Sequence, residues 1–265
     1  MKLTMATQSK PEFTRIALGI AAPTARIHLQ NPPLNIIDLA MMEELRAALE
    51  QVNAREDVTA IVFSGSERAF SAGVDVAAHT PDKVGEMLTK FHAVIRAIVA
   101  TEKVTIAIAR GHCLGGGAEL AMVCDLVYTA ADATWQFPEI KLGCFPPIAC
   151  AALAPLAGQR AAADLVLTAR QFSGVEAKQF GLVNDAVPDA QVEARAEDAI
   201  ARLAELSPAA LRLAKKALWS WEAAHFDKAL ARAELIYLGE LMQTHDANEG
   251  IRAFMERRKA KWKGR

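Results

Sequence analysis

The sequence has 265 residues, of which 52% are apolar and 23% are charged, and its formal net charge is −1. This length and apolar fraction predict one large domain with a substantial core, and the near-neutral balance argues against nucleic acid or a membrane surface as a partner. The N-terminus lacks a basic segment followed by an apolar one, no long uncharged apolar stretch occurs, and the four cysteines lack zinc-site spacing. We therefore expect a cytoplasmic protein with reduced, mostly buried thiols, no metal and small-molecule chemistry.

The chain begins with two predicted strands and a helix. Residues 14–30 read as two short strands that break at Pro23, and the run ends after Asn31 because the next two residues are prolines, which cannot donate to a strand ladder. Asp38 is the candidate N-cap of a helix over Leu39–Asn53, in which apolar residues recur at helical spacing. The apolar stripe of this helix should face a sheet.

Strand-like runs then alternate with helical stretches. Residues 58–65 and 104–111 are rich in β-branched side chains and end in glycine, and residues 81–101 between them are helical in pattern, which predicts a right-handed crossover. Residues 125–130 repeat the strand pattern. We therefore expect repeated β-β-α units rather than a regular doubly wound sheet.

Beyond about residue 147 the pattern becomes almost wholly helical. Ser173 and Glu176 have the spacing of a capping box, and Ser207 is an N-cap candidate followed by proline at the first helical position. Residues 209–262 are rich in alanine, leucine and charged side chains. Helices of this composition often pack on a neighbouring subunit or fold over a site.

Three consecutive glycines, at positions 115–117, separate an apolar strand-like run from an apolar helix-like run. Such a turn presents free backbone N–H groups at the positive end of a helix dipole, which suits a developing oxyanion, and Glu119 and Glu139 follow as carboxylates that could move protons. Close packing of the helix on the strand is an alternative reason for the glycines, and it stays open at this point. Phosphate binding is disfavoured because neither a P-loop nor a dinucleotide pattern passes through residues 111–117.

A second turn, AFSAGVD at residues 69–75, offers another backbone donor after the strand predicted at 58–65. With GHCLGGGAELA at 111–121 and FPEIKLG at 137–143, it makes the sequence resemble the crotonase superfamily and, within it, the enoyl-CoA hydratases. The resemblance spans nearly the whole chain. It implies an α/β, crotonase-type (β-β-α) spiral over residues 1–200, a helical C-terminal region over 201–265 that forms trimers and covers the site, and a homotrimer or homohexamer.

The resemblance also implies how the reaction would proceed. The backbone N–H groups of Val74 and Gly116 would form an oxyanion hole for the thioester carbonyl, with Gly73 and Gly116 needed for backbone shape. Glu119 would orient and activate a water molecule, and Glu139 would exchange a proton with the α-carbon. A lone helical glutamate is most often solvated, but the apolar neighbours of these two predict burial and raised pKa values. No cofactor is implied, since coenzyme A is part of the substrate.

Further candidate contacts to the acyl-CoA substrate follow from the matched turns. The resemblance makes Ser71 and Ala72 candidates for the adenine contact, and it places Leu34 and Ile36 along the pantetheine tunnel. These assignments rest on the family's use of backbone groups around the first turn to recognise coenzyme A.

Four other positions are candidates of different kinds. Asp75 matches a family position in the first turn, where we expect it to hold the turn by bonding to the backbone, and His79 follows as a substrate contact. Phe254 and Arg257 match positions that reach the nucleotide, often from a neighbouring subunit. A basic C-terminal tail is otherwise most often just solvated.

The sequence departs from ordinary enoyl-CoA hydratases after the second glutamate. It has LGCFPPIAC at residues 142–150 where the family has a glycine-rich run, and NPPLN at 31–35 lacks the usual basic residue. A stiff wall at Pro146 and Pro147, with Phe145 and Trp135 nearby, would suit a flat ring, and the segment resembles that of hydratases acting on alicyclic dienoyl-CoA thioesters.

Two alternatives to a hydratase are weighed. An enoyl-CoA double-bond isomerase needs the oxyanion hole but only one well-placed base, so the presence of both glutamates disfavours it. A non-catalytic binding or scaffold protein would tolerate the loss of either carboxylate, and an RNA-binding version would show a basic face, which this near-neutral chain lacks. The preferred prediction is a hydro-lyase.

Overall fold

The structure, a computed structural model, describes residues 13–265, except for the side chains of Trp221 and Glu222. The expectation that the N-terminus carries no leader segment applies to residues outside this range. The strands are β1 (Ile16–Ala21), β2 (Thr24–Leu29), β3 (Ala60–Ser64), β4 (Ala69–Ser71), β5 (Val104–Ala109), β6 (His112–Leu114), β7 (Leu126–Ala130), β8 (Thr134–Gln136), β9 (Phe172–Ser173) and β10 (Asp185–Val187). The α-helices are α1 (Leu39–Asn53), α2 (Val84–Ala100), α3 (Gly116–Met122), α4 (Pro147–Ala157), α5 (Gln159–Thr168), α6 (Gly174–Gln179), α7 (Val192–Ala204), α8 (Pro208–Gly239) and α9 (His245–Met255). Short 3-10 helices occupy Val76–His79, Glu139–Leu142, Asp189–Gln191 and Leu241–Gln243.

Two sheets are built from repeated units. The larger has the order β1-β2-β3-β5-β7-β10, with an antiparallel β1–β2 hairpin followed by parallel pairs, and the smaller has the order β4-β6-β8-β9. The consecutive pairs β3–β4, β5–β6 and β7–β8 each give one strand to each sheet. This arrangement confirms the predicted β-β-α units, and the central strand β5 is buried along its whole length because helices cover parallel sheets on both faces.

Local signals set the starts of several helices where the sequence predicted them. The Asp38 side chain accepts a hydrogen bond from the N–H of Met41 at the start of α1. Ser173 and Glu176 form the full capping box of α6, and the Ser207 hydroxyl caps α8. These caps satisfy N–H groups that a helix leaves free at its first turn.

Other elements differ from the sequence prediction. The region after residue 147 contains the short strands β9 and β10, which have too few residues to show a period, and the segment after Asp75 forms a 3-10 helix. Helix α8 runs for 32 residues, and α9 packs on the 3-10 helix Glu139–Leu142 of the same chain, where a Cβ atom on Gly250 would lie 2.0 Å from the Leu142 carbonyl oxygen. The proposed boundary at residue 200 lies within α7 and stays a prediction.

The thiols are free and mostly buried, as expected. Cys113, Cys124 and Cys144 are buried, whereas Cys150 is exposed. Between residues 13 and 265, no helix has the length and apolar content that a membrane span requires. The same part of the chain has no group of three or more histidine, cysteine, aspartate or glutamate side chains arranged to hold a metal ion.

Candidate active site

A small cavity of about 80 Å³ lies where the two predicted turns meet the segment that carries Glu139. It brings together residues that are far apart in the sequence. The sequence-predicted residues that line it are Ala72, Val74, His79, Gly116, Glu119 and Glu139. The four predicted catalytic positions therefore share one cavity.

The triple-glycine turn connects β6 to α3, and each glycine has a spatial reason to be there. Gly115 has φ of 50°, and a Cβ atom on it would lie 2.6 Å from Oε1 of Glu139. A Cβ atom on Gly116 would lie 2.6 Å from Cγ2 of Val74, and one on Gly117 would lie 2.6 Å from the Ser71 carbonyl oxygen. Close packing, the alternative left open by the sequence, is thus present at the very turn that carries the site.

Two backbone N–H groups at this junction are free to bind a ligand. Ile37 pairs with the first turn through two hydrogen bonds: its N–H donates to the Gly73 carbonyl at 2.9 Å, and its carbonyl accepts from the Asp75 N–H at 3.1 Å. The Val74 N–H, which lies between them, has no acceptor among residues 13–265. Gly116 begins α3, so its N–H has no acceptor within the helix. The turns are adjacent, because a Cβ atom on Gly73, whose φ is 104°, would lie 3.6 Å from the Gly116 nitrogen.

Glu119 is buried and held by the start of another helix. Its residue is 3% exposed, and Oε1 accepts hydrogen bonds from the N–H groups of Ile148 and Ala149, both at 2.9 Å. These donors lie in the first turn of α4, where the helix dipole favours a negative charge. Burial nevertheless outweighs them and raises the pKa of Glu119 to about 7.

Glu139 has a different environment. Its Oε2 atom is buried and accepts no hydrogen bond from any described residue. Burial raises the pKa of Glu139 well above its ordinary value, and the nearby charge of Glu119 raises it further. Glu119 receives two hydrogen bonds from the start of α4, whereas Glu139 is helped only by its own backbone N–H, so a single proton shared by the pair favours Glu139. The pair therefore offers a base and an acid in one cavity.

The raised pKa of Glu119 has a consequence for stability. A carboxyl group whose pKa is higher in the folded than in the unfolded state contributes stability that is present below about pH 4.5 and is lost as the pH rises through about 7. Glu119→Gln should therefore raise the melting temperature by about 5 °C at pH 8, with little gain at pH 4. Thermal unfolding followed by circular dichroism at both pH values measures this, with the exposed Glu50→Gln as control. A gain for Glu119→Gln that is equal at both pH values contradicts the buried, raised-pKa carboxyl.

Some predicted contacts have structural roles that occupy their side chains. Ser71 is fully buried, and its hydroxyl donates to the Asn35 carbonyl at 2.7 Å and accepts from the Gly73 N–H at 3.1 Å. These bonds occupy the hydroxyl alone, and the expected contact of the Ser71 backbone with the adenine stays a prediction. The Asp75 side chain accepts from the Ala77 N–H and caps the 3-10 helix Val76–His79, as expected for a turn-holding residue.

Four other predicted contacts lie outside the cavity, namely Leu34, Ile36, Phe254 and Arg257. The Ala72 N–H donates to the Leu34 carbonyl at 2.9 Å, which joins the first turn to the loop that carries Leu34 and Ile36. Phe254, 53% exposed, lies near the end of α9, and Arg257 follows that helix with an exposed side chain and φ of 52°. Their proposed contacts to coenzyme A stay predictions.

The cavity walls agree in part with the sequence prediction. Phe145, Pro146 and Pro147 line the cavity, as does His79, whose Nδ1 donates to the Asp75 carbonyl at 3.0 Å. Trp135 does not line it, which corrects the expected ring wall. It is fully buried, its Nε1–H donates to the Thr129 hydroxyl at 3.0 Å, and it packs on Phe172.

Sequence reasoning missed two polar residues of the cavity, His92 of α2 and Tyr237 of α8. The His92 Nδ1 lies 2.6 Å from Oε1 of Glu234, and burial lowers the pKa of the imidazole. The Tyr237 ring makes an edge contact with Phe145 at 5.1 Å between centroids, and burial raises the pKa of its hydroxyl. A single histidine or tyrosine on an amphipathic helix has no sequence signal for a site, so only the packing of α8 on α2 could reveal them.

Comparisons with known proteins agree with this geometry. The family model described as enoyl-CoA hydratase/isomerase matches residues 19–265. The chain is 36% identical to the cyclohexa-1,5-dienecarbonyl-CoA hydratase of Thauera aromatica over 242 residues, which cover 91% of this chain and 93% of that relative. It is 34% identical to a probable enoyl-CoA hydratase of Bacillus subtilis (strain 168) over 255 residues, which cover 94% of this chain and 98% of that relative.

A solved structure shows the same fold. The crystal structure of an enoyl-CoA hydratase from Mycobacterium avium subsp. paratuberculosis K-10 superposes with a TM-score of 0.86 at 24% identity, covering 95% of this chain and 100% of that one. The predicted crotonase-type spiral is thereby confirmed. With the family model and the relatives together, the chain belongs to the enoyl-CoA hydratase/isomerase family of the crotonase superfamily.

Proposed function

We propose that this protein is a hydro-lyase that adds water across the α,β double bond of a compact acyl-CoA thioester, with a cyclic dienoyl group as the first candidate. One observation carries the proposal: Glu119 and Glu139 line a single cavity together with the free N–H groups of Val74 and Gly116. The relatives named above are hydratases by name, which supports hydration over the isomerase alternative. An isomerase also needs only one base, and this cavity has two carboxylates.

The residues divide the chemistry between them. The thioester oxygen would accept hydrogen bonds from Val74 and Gly116, which stabilise the enolate, and removal of one such donor typically costs about 10²- to 10³-fold in rate. The Glu119 carboxylate would take a proton from water as its oxygen bonds to the β-carbon, and the protonated Glu139 would give its proton to the α-carbon. The pair then holds one proton on the opposite carboxylate, and its transfer back restores the starting state.

The size and walls of the cavity support a compact acyl group. A volume of about 80 Å³ is far below the roughly 300–1,000 Å³ of pockets that enclose drug-sized ligands, so a long flexible chain has no room in this form. Phe145, Pro146 and Pro147 form a wall with little side-chain freedom. The relative from Thauera aromatica is named for a cyclic dienoyl-CoA substrate, which supports a ring as the first candidate.

The assembly and the coenzyme A contacts are part of the same proposal. Exposed leucines along α8, Leu213, Leu218 and Leu235, support packing against a second copy in a homotrimer or homohexamer. The backbone at Ser71 and Ala72, together with Leu34 and Ile36, would bind the nucleotide and pantetheine portions. Phe254 and Arg257 would add more distant contacts.

The direct test offers two thioesters side by side to the purified protein. Cyclohexa-1,5-dienecarbonyl-CoA and crotonyl-CoA are each incubated with the protein in ¹⁸O-labelled water, and the masses of the products are measured by mass spectrometry. We expect the gain of one labelled water, and the faster reaction identifies the acyl group that fits. Rearrangement without a gain in mass supports the isomerase instead, and a protein boiled before addition serves as control.

A further inference from the structure

Buried polar atoms without hydrogen bonds are concentrated in the cavity. Among the described residues they include Oε2 of Glu139, Nε2 of His92 and the hydroxyl oxygen of Tyr237, and all three residues line the same space. A buried polar atom left unpaired has lost its hydrogen bonds to water without replacement, so such atoms require a partner. Proton transfer accounts for Glu139. The proposed mechanism uses neither His92 nor Tyr237.

The hydrogen-bonding role of His92 is set by its neighbours. Its side chain is fully buried, and Nδ1 lies 2.6 Å from Oε1 of Glu234, which also accepts from Nη2 of Arg96 at 3.0 Å. A carboxylate oxygen that already accepts from Arg96 is an acceptor, so the proton of the neutral imidazole is on Nδ1. The Nε2 atom therefore has a lone pair and acts as an acceptor toward the cavity.

Tyr237 supplies the complementary group. Its residue is 1% exposed, its ring is held against Phe145, and its hydroxyl lies beside the Cys144 thiol, which is only a weak hydrogen-bonding group. Burial keeps the phenol protonated, so it can donate and accept. The pair thus combines an acceptor on His92 with a donor on Tyr237.

A hydroxyl group matches this pair better than other small groups do. It can donate to the imidazole nitrogen and accept from the phenol at the same time, whereas a carbonyl oxygen would face the lone pair of the imidazole. The neighbouring side chains Met87, Leu88 and Phe91 are apolar. A purely hydrocarbon acyl group would therefore cover both polar atoms without pairing either.

We propose that His92 and Tyr237 form a subsite that binds a hydroxyl group on the acyl part of the substrate, at a carbon beyond the β-carbon. The inference rests on the proposed function, because it takes an acyl-CoA to be the occupant of the cavity. Among the compact cyclic acyl groups proposed above, it predicts tighter binding of rings that already carry a hydroxyl beyond the β-carbon. Glu234 acts through His92 and is a positioning residue.

Binding of saturated thioesters tests the subsite without any reaction. Isothermal titration calorimetry compares cyclohexanecarbonyl-CoA with its 2-, 3- and 4-hydroxy derivatives. We expect the 3- or the 4-hydroxy derivative to bind at least about tenfold more tightly than the unsubstituted ring. Two variants should each abolish this preference. Tyr237→Phe removes one oxygen atom, and His92→Asn retains a donor for Glu234 but lacks Nε2. Tyr128→Phe, a change of the same kind at a buried tyrosine of β7, should retain it.

Several outcomes would overturn the proposal. Equal affinity for all four thioesters would mean that a water molecule, and not a substrate hydroxyl, forms the hydrogen bonds to His92 and Tyr237. A preference confined to the 2-hydroxy derivative would assign recognition to the carboxylates, since that hydroxyl is on the β-carbon. A preference that survives in Tyr237→Phe would place the subsite elsewhere. Failure to hydrate any enoyl thioester, by contrast, overturns the proposed function and leaves the binding comparison valid, because saturated thioesters bind without reacting.

Discussion

Glu139→Gln is expected to lower kcat by about 10²- to 10⁴-fold, the usual contribution of a general acid or base. Glutamine has the same shape and carries no charge, so it fits the buried position, but it cannot deliver a proton to the α-carbon. Glu119→Gln should have a loss of similar size, because the amide cannot take a proton from water. Since the two act as a unit, the double variant should lose little more than either single one. Initial rates of hydration of the better thioester give these values.

Binding and folding controls separate chemistry from collapse of the site. The dissociation constant for a saturated CoA thioester should change less than about threefold in Glu139→Gln, since the backbone N–H groups that hold the carbonyl are untouched. The surface variant Glu50→Gln, whose side chain is 66% exposed, should retain full activity. A fully active Glu139→Gln enzyme would rule out the two-carboxylate mechanism.

Removal of the Gly116 N–H is expected to lower kcat by about 10²- to 10³-fold. Gly116 is the first residue of α3, a position where helices accept proline, so Gly116→Pro removes the donor and allows the helix to form. Any side chain there would meet Cγ2 of Val74 at 2.6 Å and the Phe91 ring at 3.1 Å. The substitution is therefore made in a Val74→Ala background, which removes the closest contact and keeps the Val74 N–H.

The matched reference is Val74→Ala with Gly116→Ala, which has a Cβ atom at position 116 and retains its N–H. Comparison of the alanine and proline variants separates the effect of losing the N–H donor from the effect of adding side-chain atoms at position 116. Both are measured for kcat and for circular dichroism, and a folded proline variant as active as its alanine partner would place the oxyanion hole elsewhere.

Features that depend on neighbouring residues could be read from the sequence. The Asp38 cap of α1 and the Ser173 capping box each involve atoms within three residues of one another, and the structure contains both. The glycines at 115–117 and the turn at 69–75 follow strands, so their place at the ends of parallel strands could be inferred from their order. Ser71 shows the limit: it ends strand β4, and the sequence does not indicate that its hydroxyl bonds to the Asn35 carbonyl, 36 residues away.

The sequence by itself determined the family, the β-β-α repeat and the four catalytic candidates, because motif spacing and strand or helix periodicity are local properties of the chain. Tertiary structure alone decided which side chains close the cavity. Glu234 meets His92 across 142 residues of sequence, and Tyr237 reaches the cavity only because the long helix α8 packs back over α2. Such contacts depend on how distant elements pack, and a lone polar residue in an amphipathic helix leaves no periodic trace of the partner it will face.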